Sequence, residues 1–157
     1  MKYPPPYDTR LTANRLIEIS GQHGEPMSIM RLLKLAYMAH GWTLAIIDAP
    51  LVNENVQAWR YGPVIPSIYY SFRPYGAYNM GPIPVVGNAE IDEETDGVLE
   101  AVCDLYKDVS TNRLTALTHI KGGPWHRTYK PNVRHLIIPN KIIAEHFKDK
   151  LRRSQNG

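Results

Sequence analysis

Cysteine is almost absent: Cys103 is the single one in 157 residues. That excludes an internal disulfide and a cysteine-based zinc site, and it fits a reducing compartment. A long apolar run is missing too. The longest, around Leu35 to Ile47, is interrupted by His40 and Thr43 and falls short of the roughly 20 residues that a membrane span requires. The opening Met1-Lys2-Tyr3-Pro4-Pro5-Pro6-Tyr7 carries one charge and no apolar stretch after it, so nothing there resembles a signal peptide. A cytoplasmic protein with no membrane partner is the economical expectation. Charge excess is also small, at +3 with a sequence pI near 9.0. Nucleic-acid binders cluster Lys and Arg on one face. The only dense group here is Lys148, Lys150, Arg152 and Arg153, which equally suits the negative end of a helix dipole. Nucleic acid is therefore not an expected partner.

Catalytic signatures are scarce as well. No pair among His23, His40, His119, His126, His135 and His146 has the i, i+4 spacing of a two-histidine metal site. No Gly-x-Ser-x-Gly elbow or Gly-x-Gly-x-x-Gly fingerprint occurs, and Lys121-Gly122-Gly123-Pro124 lacks the ending of a phosphate loop. Asp92-Glu93-Glu94-Thr95-Asp96 lacks the ligand spacing and glycine of a calcium loop and reads as a helix start. Cys103 falls in an apolar helical register beside Leu99 and Val102, where free cysteines are often simply buried. A hydrolase would need His119 and His126, which flank a Gly-Gly-Pro turn, to converge with Cys103 or a carboxylate. Two satisfied histidines beside a turn is the simpler account. No catalytic residue, metal or cofactor is assigned, and the chain is expected not to be an enzyme.

What is present fits one domain, commonly about 100–200 residues and able to bury roughly 68–70% of its unfolded surface. The proline-rich residues 1–8 form an extended arm, poorly tied down unless it docks on the body, and residues 9–153 form the helical domain. Asp8 or Thr9 caps a helix over about Arg10–Ser20, with Leu11, Leu16 and Ile17 on one stripe. Ser28 caps a second helix reaching about Ile47. It is apolar on most of its circumference, with Arg31 and Lys34 as a narrow polar stripe, so it should be the core helix. Leu51-Val52 and Val56–Trp59, joined by Asn53-Glu54-Asn55, read as a β-hairpin. Pro63 or Pro66 starts a helix to about Phe72, and residues 74–88 read as a long loop. Further helices are expected over about Asp92–Lys107, Thr111–His119 and Asn140–Arg152. The fold class is mostly α: a compact bundle of about six helices around a central buried helix, with one small β-hairpin.

One segment differs in kind. Trp59-Arg60-Tyr61-Gly62-Pro63 sets large amphipathic aromatics and an arginine on a proline-rigidified hairpin exit, and Tyr69, Arg73 and Tyr75 follow closely. Trp, Tyr and Arg are the types that dominate binding hot spots. They also pack cores, and for Trp59 both readings stand. Arg60 and Arg73 are hard to bury, so part of the segment should face outward. Trp59, Arg60, Tyr61, Pro63, Tyr69, Arg73 and Tyr75 are the candidate partner-binding residues, while Trp42 and Trp125 are expected to be structural anchors.

These residues, with Leu33-Lys34-Leu35-Ala36-Tyr37, Gly41-Trp42, Pro50-Leu51, Ala58 through Pro66, Leu117-Thr118-His119 and Pro124-Trp125, resemble the Panacea domain family. That family takes in SocA-like antitoxins and phage-associated GepA-like proteins. The likeness runs in order over about residues 11–150, and Tyr61-Gly62-Pro63-Val64 after Ala58-Trp59 is its most specific piece. It implies a module that neutralises a nearby-encoded protein toxin by binding it, on prophages or mobile elements. An adaptor branch would deliver the toxin to a protease, for which the basic tail from Lys148 is the candidate second surface. Many members carry a further DNA-binding domain, for which 157 residues leave no room.

Overall fold

The computed structural model describes residues 1–75 and 80–156. Strand β1 (Lys2–Tyr3) opens the chain and pairs in parallel with the later β4 (Glu90–Ile91). The arm is held further along by Tyr7, whose hydroxyl donates to the Tyr3 carbonyl at 2.6 Å and accepts from the Asp92 amide at 3.1 Å. The proline-rich opening thus docks on the body.

Helix α1 (Thr9–Gln22) starts at Asp8, whose carboxylate accepts from the Arg10 amide. Helix α2 (Ile29–Ile47) starts at Ser28, which accepts from the Arg31 amide, and ends where Asp48 turns left-handed at φ 61°. Every residue from Arg31 to Leu44 is buried, because α1, α4 (Glu93–Tyr106), α5 (Thr111–Thr118) and α7 (Asn140–Asn156) all pack on it. A fully buried Leu or Ile contributes about 1.5–3 kcal/mol, so this one helix anchors much of the core. At Gly41 a Cβ would overlap the Phe147 ring. The missing side chain lets α7 press onto the α2 backbone, where Phe147 meets Tyr37 and Trp42 edge-on at 5.7 and 5.3 Å. Trp42 also donates to the Tyr106 hydroxyl at 3.0 Å, an internal anchor as expected.

Four differences from the sequence reading stand out. The narrow polar stripe of Arg31 and Lys34 is not at the surface; both residues are buried. Arg31 donates to the Tyr106 and Val109 carbonyls at 2.9 and 2.8 Å, closing the end of α4, and pairs with Glu25 at 3.2 Å. Secondly, the hairpin is displaced. Strand β2 (Val56–Trp59) pairs with β3 (Gly62–Val64) around Arg60-Tyr61, whereas Val52 makes only a single bridge to Tyr7. The link before β2 is used otherwise: Glu54 accepts from the Thr9 hydroxyl at 2.6 Å and from the Ser67 amide at 3.0 Å. One carboxylate thereby ties the start of α1 to the start of α3 (Pro66–Phe72).

Thirdly, the chain enters α7 through a strand that the sequence does not announce, β5 (Leu136–Ile138), antiparallel to β2, giving the sheet order β3-β2-β5. Lastly, the Gly122-Gly123-Pro124 turn starts a short extra helix, α6 (Pro124–Thr128), and raises the helix count among the described residues to seven. The mostly helical fold around a buried central helix is the one expected. The expected 74–88 loop falls partly on residues 76–79, outside the described residues. Of its remainder, Pro74 and Tyr75 lie in a short helical turn (Arg73–Tyr75), and 80–88 is irregular but tethered: Ile83 and Asn14 exchange two hydrogen bonds, at 2.7 and 2.9 Å.

Candidate partner-binding surface

Strand β2 alternates as a half-buried strand should, with Val56 and Ala58 inward and Gln57 and Trp59 partly open. Its turn to β3 needs Gly62, which holds φ 113° and whose Cβ would stand 2.7 Å from both His119 Nε2 and Lys34 Nζ. Pro63 sits in the edge strand β3, where a missing amide is tolerated. It is buried, so it shapes the hairpin and presents no surface of its own, contrary to its inclusion among the partner-facing residues.

The turn above it is held from below by groups that the sequence reading missed. Lys34 is fully buried and donates its ammonium to the Tyr61 carbonyl. Burial pushes its amine down to about 8. His119 reaches the same carbonyl at 3.2 Å and stacks on Trp125 at 4.3 Å, which stacks in turn on Tyr129 at 4.8 Å. Burial keeps the His119 imidazole below its usual range, and the Lys34 charge adds to that against the pull of the Tyr61 carbonyl. Trp125 donates to the Trp59 carbonyl at 2.7 Å, which makes it the anchor that fixes β2 to α6. The signal for it is Lys34 itself, which with Arg31 is one of two cations on a helix otherwise apolar toward its neighbours.

Outward from this base three of the candidate residues, Trp59, Tyr69 and Arg73, form one cluster with Tyr70. Trp59 meets Tyr69 and Tyr70 edge-on at 5.2 and 6.1 Å, and those two tyrosines meet at 5.4 Å. The Arg73 guanidinium lies over both tyrosine rings, at 5.2 and 5.7 Å. Trp59 and Tyr69 are half-buried against the core, whereas Arg60, Tyr61, Tyr70, Arg73 and Tyr75 are exposed. Trp59 is thus both core flank and surface, with its indole donating to Gln57 at 2.8 Å. Beside this cluster lies a groove of about 530 Å³, lined by Trp59, Arg60, Tyr61 and Tyr70 and by residues of a distant segment, among them Tyr129 and Arg134.

The hydrolase constellation does not assemble. Cys103 is buried between α1 and α4 with the Ser20 hydroxyl at 3.9 Å, and burial pushes its thiol up to about 11, away from a reactive thiolate. His126 accepts instead from the Gly122 amide at 3.1 Å. Among the described residues no group of His, Cys, Asp and Glu is arranged to hold a metal, and no helix is long and apolar enough to cross a membrane. The C-terminal cations are engaged within the chain: Lys148 with Asp48 at 2.7 Å, and Arg152 and Arg153 with Asp149.

A protein-family model described as "Antitoxin SocA-like, Panacea domain" matches residues 32–126, a stretch that runs from α2 to α6 and includes the hairpin and α3. The chain is also 28% identical over 159 residues to the antitoxin SocA of Caulobacter vibrioides (strain NA1000 / CB15N). That alignment covers 95% of this chain and 85% of the relative. No solved structure matches.

Proposed function

We propose, for a chain that belongs to the SocA-like antitoxin, Panacea-domain family, that it is an antitoxin which silences a protein toxin by forming a complex with it. The observation that carries this reading is the cluster at the β2–β3 turn and α3. Four aromatic or arginine side chains, Trp59, Tyr69, Tyr70 and Arg73, gather there, and Tyr61 stands exposed on the adjoining turn. Rigid aromatic and arginine anchors ringed by contacts that exclude water are how a small surface reaches high affinity. Neutralisation of this kind needs no bond-making step: the toxin is held inactive by binding free energy alone. The prepaid order of the turn, held from beneath by Lys34 and His119, lowers the cost of fixing those anchors on binding.

Co-expression with each gene neighbour tests the reading. A neighbour that arrests growth alone, is silent with this chain and copurifies with it supports the proposal. Substitutions at Trp59, Arg60 and Tyr69 should then restore toxicity. If no neighbour is toxic and none copurifies, the antitoxin reading fails.

A further inference from the structure

The chain's 15 carboxylates avoid two long stretches, residues 55–89 and 109–144, altogether. Those stretches hold eight of the 18 lysines and arginines, all of them exposed. Every ion pair among the described residues lies outside them. The fold brings the two stretches together through the β2–β5 pairing, the Trp125–Trp59 hydrogen bond and the His119 contact to Tyr61. The groove of about 530 Å³ opens where they meet. Trp59, Arg60 and Tyr61 line it from the first stretch, and Tyr129, Arg134 and His135 from the second. The second lining segment is fixed, since His135 Nδ1 lies 3.2 Å from the Gln57 side chain. It also lies beyond residues 32–126, the part matched by the family model.

We infer that this groove docks an acidic, extended segment of the protein partner. Its carboxylates meet Arg60 and Arg134, and an apolar side chain lies against the Trp59 and Tyr129 rings. Neither arginine has a hydrogen-bond or ion-pair partner among the described residues, so both guanidinium forks are free for bidentate carboxylate recognition. The volume is that of a cleft for a few side chains, which an extended segment can enter. The inference rests on the antitoxin reading, which supplies a protein as the partner. Charge complementarity of this kind speeds encounter and rejects wrong partners, beyond what the aromatic anchors give.

Fluorescence anisotropy with the full chain tests it, using a short fluorescein-labelled polyglutamate peptide with a central leucine pair. Its glutamine counterpart and an oligothymidylate of equal charge serve as comparisons. The glutamate peptide should bind, and the glutamine peptide should bind about tenfold more weakly or worse. The double variant Arg60→Glu, Arg134→Glu should lose about tenfold or more, and Arg152→Glu in the tail should stay within about twofold. Circular dichroism checks that the variants fold; if the double variant does not, Arg134→Gln serves in its place.

Equal binding of the glutamine peptide overturns the inference, as does an equal loss in Arg152→Glu. Tighter binding of the oligothymidylate, lost in the double variant, would make the face a nucleic-acid surface instead. A toxic neighbour silenced equally well by the double variant overturns the inference and leaves the antitoxin reading standing. Peptide binding with no toxic neighbour anywhere does the reverse.

Discussion

Beside and on α2, Arg15 and Arg31 are paired with carboxylates, while the arginines at the sheet end are not. Arg15 is held by Asp96 at 2.6 Å and Arg31 by Glu25 and two carbonyls, each beside or within the helical core. Among the described residues Arg60, Arg73 and Arg134 meet no carboxylate; Arg73 leans on tyrosine rings and the other two line a groove. In the helical half Arg15 and Arg31 are paired internally, which fixes geometry, although the buried Arg31 Nε has no partner among the described residues. The sheet end keeps its cations and its ring edges available, on a backbone that the other half makes rigid. Stability and the recognition proposed for this chain are therefore drawn from separate parts of one small fold.

The sharpest way to break that separation is at Phe147, fully inside the helical half between Tyr37 and Trp42. Phe147→Ala should cost about 3–5 kcal/mol in urea unfolding, because it removes a buried ring and leaves a cavity. A loss below about 1 kcal/mol would mean that α7 is not part of the cooperative core.

Lys34 is where the two halves meet, and it should show itself through pH. Its ordinary value is 10.5 and burial holds it near 8. A base whose value falls on folding binds its proton more readily when unfolded, so protonation favours unfolding. Stability should be lowest below about pH 8 and rise between about pH 8 and 10.5. Compared with Lys34→Met, the wild type should gain up to about 3 kcal/mol across that window, read as paired denaturation curves. A constant difference between the two proteins would show that the amine carries no such penalty.

The smallest stability effect belongs to Tyr61, whose side chain is 56% exposed while its carbonyl does the structural work. Tyr61→Ala should change unfolding free energy by less than about 0.5 kcal/mol. Capture of the partner should nevertheless weaken by roughly tenfold, measured by titration calorimetry on the copurified pair. Loss of stability in step with loss of capture would erase the distinction between the two halves.

Much of this fold is legible from short-range chemistry. Asp8, Ser28, Asp92 and Ser110 each cap the helix that follows them, through a bond to an amide two or three residues on. Such signals act within one turn and need no knowledge of the rest of the chain. The hairpin's position is not legible locally, because Glu54 reads as part of a turn, whereas its partners are Thr9 and Ser67, which no local pattern names. Of the candidate surface, the near-consecutive residues from Trp59 to Arg73 are visible as an aromatic run. Tyr129 and Arg134 are not, since they join it through long-range contacts, the β2–β5 pairing and the Trp125 bridge to Trp59.

By itself, then, the sequence determined the mostly helical class, the buried α2 and the helix starts, because apolar period and capping are local properties. Tertiary structure alone decided that Lys34 lies under the Tyr61 turn, that Trp125 fastens Trp59 and that His135 reaches Gln57. Those contacts join positions 27, 66 and 78 apart. Over such separations nothing in the local pattern records which distant segment will cover a given face; the packing of the whole chain settles it.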